Sequence, residues 1–480
     1  MSSARRIAKN TLLLTSANVI NLVLGFLYAA YAARYLGANG YGTIAYSLAL
    51  TGIFGSLADL GLGQLAVREI SRDRSLLDKY VFNLLAIKLV LAFATVGLII
   101  ITANALGKGD RTTISVVYII ALSIGLSAFT SVFSLTFQAF EEMEYSSIGS
   151  VINGTVMISG ALVAIHLGLS VVGFAYVYLA ASIIGLIYNM SIYAIRFFRS
   201  REALDPRSWA PMFREAIPFG LAGLFVNIFS WISSVMLAYL MGNESVGWYN
   251  AAYRLIIILA IVPNIVNVSL FPVMCRFYVT SKDKLKFIQQ RSFRYMALIG
   301  VPIGVGTTLI ADKIIYFIFG SAYANSVAAL QILVWASVLA FISSSFSRLL
   351  SSSNRQMTVT KIMALCAVVN IALNLLLIPR ISYVGASLAA VASEITSLVL
   401  SVKMASSAGY GPSVDDLIFM AKVITASSLM GAFIIYMRGL NLFLLIASSA
   451  ALYFAVSYLL MAFDRHDIEL LRNILKANEL

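Results

Sequence analysis

Apolar stretches of about twenty residues follow one another almost without pause, and the polar breaks between them are short. A helix needs roughly 20 mostly apolar residues to cross about 30 Å of hydrocarbon, where every backbone polar group must be bonded within its own segment. Fourteen stretches meet that length: residues 11–36, 41–67, 81–106, 114–140, 148–167, 171–195, 213–240, 247–274, 293–319, 327–350, 359–378, 384–403, 417–437 and 440–463. Charged residues are 11% of the 480, against about 25% in soluble domains. The sequence therefore predicts an all-α integral membrane protein with about 14 transmembrane helices.

The distribution of charge orients these helices. Of 34 Lys and Arg, 25 fall in the N-terminus, the loops after even-numbered spans and the C-terminal tail. Six fall in the opposite loops (Arg34, Lys108, Arg111, Lys313, Arg380 and Arg438), and Lys88, Arg254 and Lys422 lie within spans. The positive-inside rule then puts both termini in the cytoplasm. The net charge of +13 belongs to this loop asymmetry, and no nucleic-acid footprint is expected. Arg5, Arg6 and Lys9 precede the first span as in a signal peptide, but its apolar region is too long and lacks a clean cleavage site, so it reads as a retained helix.

Several chemistries are missing from the sequence. Cys275 and Cys366 sit in or beside apolar spans, and His166 and His466 are isolated, so no disulfide framework, metal cluster or cofactor site is implied. Neither a G-x-x-x-x-G-K-[ST] phosphate loop nor H-E-x-x-H nor G-x-S-x-G occurs, which argues against an ATP-driven pump and against an enzyme. What remains is a secondary carrier, driven by an ion gradient (H+ or Na+), by the membrane potential or by its substrate.

An internal repeat supplies the organisation. YLGANGYGTIAYSLAL from Tyr35 and YLMGNESVGWYNAAYRL from Tyr239 align with a two-residue insertion, matching Gly37 to Gly242, Gly40 to Gly247, Tyr41 to Trp248 and Tyr46 to Tyr253. The offset of six helices is even, so the halves share one orientation, with substrate expected between them. Two pseudo-symmetric six-helix lobes are expected, at 1–200 and 201–410, with a C-terminal helix pair at 411–463 and a cytoplasmic amphipathic tail at 464–480. The polar segment 196–218 reads as a cytoplasmic linker with Trp209 at headgroup level.

RYLGANGYGTIAYSLALTGIFGSLADLGLGQLAVREIS (34–71), REAIPFGLAGL (214–224), VGWYNAAYRLIIILAIVP (246–263) with LFPVMCR (270–276), and LLIPRISYVGASLAAVASE (376–394) together resemble the polysaccharide transporter family. That family includes the O-antigen flippases, within the multidrug/oligosaccharidyl-lipid/polysaccharide exporter superfamily. The resemblance implies fourteen helices in a multi-pass protein of the cytoplasmic (inner) membrane. It also implies that the chain turns a polyprenyl-diphosphate-linked oligosaccharide from the cytoplasmic to the outer leaflet, among membrane lipids and polysaccharide-assembly proteins. The alternative is the superfamily's other large branch, cation-coupled export of drugs or organic cations; a scaffold in polymer synthesis is a third reading.

A diphosphate in the membrane calls for cations, and Arg offers it a planar fork of donors. Arg254 lies seven residues past Gly247, about 10 Å inside the outer boundary, and is the leading substrate contact. Arg34, close to Gly37, is a second substrate-binding candidate, with a snorkelling side chain as its other reading. Tyr253, Trp248 and Tyr249 are candidates to stack on sugars, or belt aromatics. Asp59 and Lys88 fall about 13 and 12 Å deep on consecutive helices, as a structural ion pair or as ion-coupling groups. Glu394, about 16 Å deep, is a further ion-coupling candidate able to carry a proton; its alternatives are a contact with Lys422 or a hydrogen-bond network with Asn370, Asn374 or Ser393. Pro218, Pro263, Pro272 and Pro302 mark bends in the second lobe, fixed or moving.

Overall fold

A computed structural model describes residues 3–106, 110–198 and 204–462. The expected tail helix at 464–480 lies outside the described residues. Among those described there are no strands, and the chain runs through fourteen helices: α1 Ser3–Gly55, α2 Leu62–Arg72, α3 Leu77–Leu106, α4 Arg111–Ala139, α5 Met143–His166, α6 Val171–Arg196, α7 Trp209–Met241, α8 Asn243–Leu259, α9 Ile261–Thr280, α10 Lys282–Ile318, α11 Ser326–Ser352, α12 Gln356–Ser407, α13 Val414–Tyr436 and α14 Leu442–Leu459. Twelve helical stretches are long and apolar enough to cross a membrane.

The twelve supply fourteen crossings because two are double. Helices α1 and α12 have 53 and 52 residues, each more than twice the roughly 20 that one crossing needs. Non-helical backbone divides them, at Gly37 (φ 67°, ψ −179°) in α1 and at Ile381 and Ser382 in α12. Gly37 occupies a region that side chains exclude. Gly242, its partner in the repeat, takes nearly the same conformation (φ 89°, ψ 171°) between α7 and α8.

By contact density the chain forms two compact units, Met1–Arg254 with Ile371–Ala386, and Leu255–Asn370 with Ser387–Leu480. The lobes expected at 1–200 and 201–410 are a statement about symmetry, which contact density does not test. In the first unit, Leu62, Leu65 and Ile70 of α2 pack with Leu84 and Ile87 of α3 and with Val132 and Phe137 of α4. In the second, Phe293, Leu298 and Val301 of α10 pack with Val338, Ile342 and Phe346 of α11 and with Phe419 and Met430 of α13. Serines pair α11 with α12, Ser343 to Ser397 at 3.0 Å and Ser347 to Ser401 at 3.4 Å. In hydrocarbon, small residues and interhelical hydrogen bonds hold helices together where apolar burial does not.

One expected boundary is corrected. The second span does not run unbroken through Val67: the helix ends at Gly55, a 3-10 turn covers Ser56–Ala58, and Leu60 (φ 47°) and Gly61 (φ 83°) turn the chain into α2. Gly61 accepts that left-handed conformation readily. Helix α2 is amphipathic, burying Leu62, Leu65, Ala66 and Ile70 at helical spacing. Arg68 pairs with Glu69 and with Glu215 of α7. The Trp209 indole donates to buried Asn83 Oδ1 at 2.8 Å.

The prolines divide. Pro218, Pro272 and Pro302 lie inside helices, whereas Pro263 follows a break at Ala260, where α8 ends and α9 begins. A proline ring clashes with the carbonyl four residues earlier, here Leu259, the last residue of α8.

Candidate functional site

Within the first unit, Arg254 projects from the fourth turn of α8 into a ring of tyrosines. The break at Ala260 ends α8 six residues later. The Arg254 charge acts on Tyr28 of α1, Tyr41 beyond the Gly37 break and Tyr178 of α6. Tyr28 and Tyr41 are buried, and Tyr28 meets Tyr178 edge to face at 5.6 Å between ring centres. The guanidinium sits so close to α1 that a methyl on Gly25 would come within 2.6 Å of Nη2. Among the described residues no carboxylate pairs with Arg254. Arg254 is thus a cation near buried tyrosines with no carboxylate against it among the described residues, an arrangement whose charge an anion would compensate.

The repeat turns pack directly beside this ring. A methyl on Gly42 would collide with the Asn243 carbonyl, and one on Gly247 with the Ala38 carbonyl. Asn243 donates to Thr43 Oγ1 at 3.0 Å and to Thr113 Oγ1 at 2.8 Å. Tyr253 stacks on buried Tyr249, ring centres 5.8 Å apart, and Trp248 meets Tyr383 at 5.5 Å. These aromatics are thus engaged with one another. Arg34 is exposed near the end of the first crossing.

A second constellation lies toward the other end of the unit. Lys88 Nζ is 2.6 Å from Asp59 Oδ1, with Lys88 fully buried and the Asp59 side chain 42% exposed. The same ammonium donates to Ser131 Oγ of α4 at 2.6 Å. Because the helix breaks before Asp59, this carboxylate follows a 3-10 turn, and the depth of about 13 Å read from an unbroken helix is withdrawn. A cavity of about 360 Å³ adjoins the pair.

Glu394, in the second unit, is partly buried on α12. Asn370 donates to Ser393 Oγ at 3.2 Å, and Asn374 to Ser233 Oγ at 3.0 Å. Lys422 donates to the Met461 carbonyl at 3.2 Å. The buried Cys366 thiol is near enough to feel its charge. No metal-holding group of His, Cys, Asp or Glu occurs among the described residues.

Sequence reasoning missed the tyrosines around Arg254. Tyr28 and Tyr178 are remote in sequence and sit in spans where tyrosine is common, so no local pattern marks them. Gly25 carries no mark either, since a helical glycine in a membrane is ordinary.

Bent double-length helices, a repeated glycine turn and ionisable groups held inside the helical layer define an all-α multi-pass transporter. The chain belongs to the polysaccharide biosynthesis protein family, which residues 7–278 match, and residues 218–376 also match the MatE family, within the multidrug/oligosaccharidyl-lipid/polysaccharide exporter superfamily. Among curated relatives, it is 23% identical over 399 residues to the probable low-salt glycan biosynthesis flippase Agl15 of Haloferax volcanii, covering 82% of each chain. It is 22% identical over 409 residues to the probable flippase AglR of the same organism, covering 83% of each. Among solved structures, the lipid II flippase MurJ in an inward closed conformation superposes with a TM-score of 0.76 at 15% identity, over 93% of this chain and 98% of that one. An inward-facing multidrug resistance MATE family transporter gives 0.67 at 14%, over 82% and 96%.

Proposed function

We propose that the protein is a secondary transporter that turns a polyprenyl-diphosphate-linked oligosaccharide from the cytoplasmic to the outer leaflet by alternating access, with both termini in the cytoplasm. The observation that carries this reading is Arg254, a cation inside the first unit with tyrosines around it and, among the described residues, no carboxylate against it. A diphosphate supplies the missing countercharge, and the planar guanidinium donates to two of its oxygens at once. The family match and the flippases among the relatives support the same substrate class.

Export of a cationic drug is the reading that the MatE match favours. It asks for an acidic cavity, whereas the interior charge nearest the repeat turns is Arg254. The test is glycan export in cells lacking the native transporter. Arg254→Ala abolishes export with the protein still in the membrane, and Arg254→Lys retains part of it because charge survives without the fork. Full export by the Ala variant overturns the assignment.

A further inference from the structure

The cavity beside Asp59 and Lys88 has no role in the reading above. One wall is a stripe on α4, Ser127, Ser131, Ser134 and Gln138, spaced at four, three and four so that all share one helical face. Gln64 of α2 and Asp59 line the same cavity.

The chemistry of this wall is directional. Ser127 donates to the Ser123 carbonyl at 2.9 Å and lies 3.4 Å from Ser182 Oγ, which takes one of its lone pairs; Ser131 donates to Ala128 at 2.7 Å and Ser134 to Ser131 at 3.2 Å. With their hydrogens committed to the helix, these hydroxyls present lone pairs to the cavity. Ser131 already accepts from Lys88. Asp59 gives Oδ1 to Lys88 while its side chain remains 42% exposed, so Oδ2 is a further acceptor. Gln64 and Gln138 each add a donor and an acceptor.

Such a wall selects against ions of either sign. A metal cation would have to take the place beside Asp59 and Ser131 that the Lys88 ammonium holds at 2.6 Å from both. An anion would meet the Asp59 carboxylate and the serine lone pairs. A neutral ligand rich in hydroxyl donors fits, with Ile124, Ala128 and Leu135 available to its C–H faces. The volume of about 360 Å³ is within the range of small-ligand sites.

We infer that this cavity is a saccharide subsite, which holds sugar rings of the transported glycan through Asp59, Ser127, Ser134, Gln64 and Gln138, with Lys88 as the residue that positions Asp59. The inference rests on the flippase reading and adds a second contact region to the one at Arg254.

The test uses the purified full-length chain in a detergent without sugar headgroups. Two probes are titrated, farnesyl diphosphate and farnesyl diphosphate carrying a hexose disaccharide, each in sodium chloride and in choline chloride. Ser134→Leu and Gln138→Leu project into the cavity and leave the Asp59–Lys88 pair intact. Each is expected to weaken the glycosylated probe about 10-fold, the scale of one or two lost hydrogen bonds, with less than about 2-fold change for farnesyl diphosphate. Unchanged affinity for the glycosylated probe in both variants overturns the subsite, as does an equal loss for both probes or a loss that appears only when sodium is replaced. Failure of the flippase reading looks different: the wild type binds neither probe, or Arg254→Ala binds both normally.

Discussion

Asp59 and Glu394 are held in opposite ways. Asp59 has a lysine ammonium at 2.6 Å, and that lysine has no exposure at all. Glu394 has no cation against it among the described residues; the lysine nearest in sequence on the following helix, Lys422, is spent on a carbonyl at the end of α14. Burying an ion costs several kcal/mol unless a partner compensates, so the difference marks one position where charge is built into the architecture and another where it is not. Asp59 is paired with a buried lysine and keeps its side chain 42% exposed. Glu394 makes no ion pair among the described residues, and we propose it as the better candidate of the two for carrying a proton.

The strongest way to break this contrast is to remove one charge at a time. Asp59→Asn strands a fully buried ammonium and should cost about 3 kcal/mol, the low end for a broken buried pair because the aspartate is itself partly solvated. Thermal unfolding in detergent, followed by tryptophan fluorescence, reads the loss. The second change Lys88→Met should recover part of it by removing the stranded charge; strictly additive losses would show that the two do not interact. Lys88→Met alone should cost less, about 1 kcal/mol, because the remaining carboxylate can draw on water in the cavity. If the lysine variant proves the more damaging, the assignment of the buried burden to Lys88 is wrong.

At Glu394 the amide substitution should have a smaller effect on stability and a larger one on work. Glu394→Gln keeps size and polarity and breaks no described ion pair, so unfolding should move by less than about 0.5 kcal/mol. Export driven by a proton gradient should nonetheless fall, while export measured without a gradient should be spared. A large loss of stability would mean that Glu394 has a structural partner and would erase the contrast.

How much of this was legible follows from where the signals sit. The spans and the glycine at the first bend were readable because length, apolarity and the Gly37–Gly242 match are local patterns. Asp59 and Lys88 were readable as neighbours because consecutive helices joined by a short loop pack together. The break before Asp59 was not, although the run DLGLGQL contains Gly61 and Gly63, because glycines in an apolar run are compatible with an unbroken span. The surroundings of Arg254 were hidden for a different reason: they assemble from α1, α6 and α8, and a single sequence carries no record of which faces of distant helices meet. The two directions of the Ser127–Gln138 stripe, donating to the backbone and accepting from the cavity, also need coordinates.

The smallest effect sharpens the contrast from outside the membrane. Asp73, between α2 and α3, accepts from the Ser75 hydroxyl at 2.7 Å and from its backbone N–H at 2.9 Å. These bonds, the hydroxyl first and then the amide, hold its carboxyl below the ordinary aspartate range. A group whose folded pKa is depressed adds stability that is fully present above the unfolded value, near 3.9, and lost as pH falls through the folded one. Asp73→Asn should therefore lower the unfolding temperature slightly at neutral pH, and the difference from wild type should vanish only below about pH 4. Asp59 should differ in size, because its loss strands a buried ammonium, whereas the loss of Asp73 strands only a hydroxyl and an amide that water can serve. An Asp73→Asn defect as large as that of Asp59→Asn would show that burial of the partner does not set the scale, and the distinction drawn between the acids would fall with it.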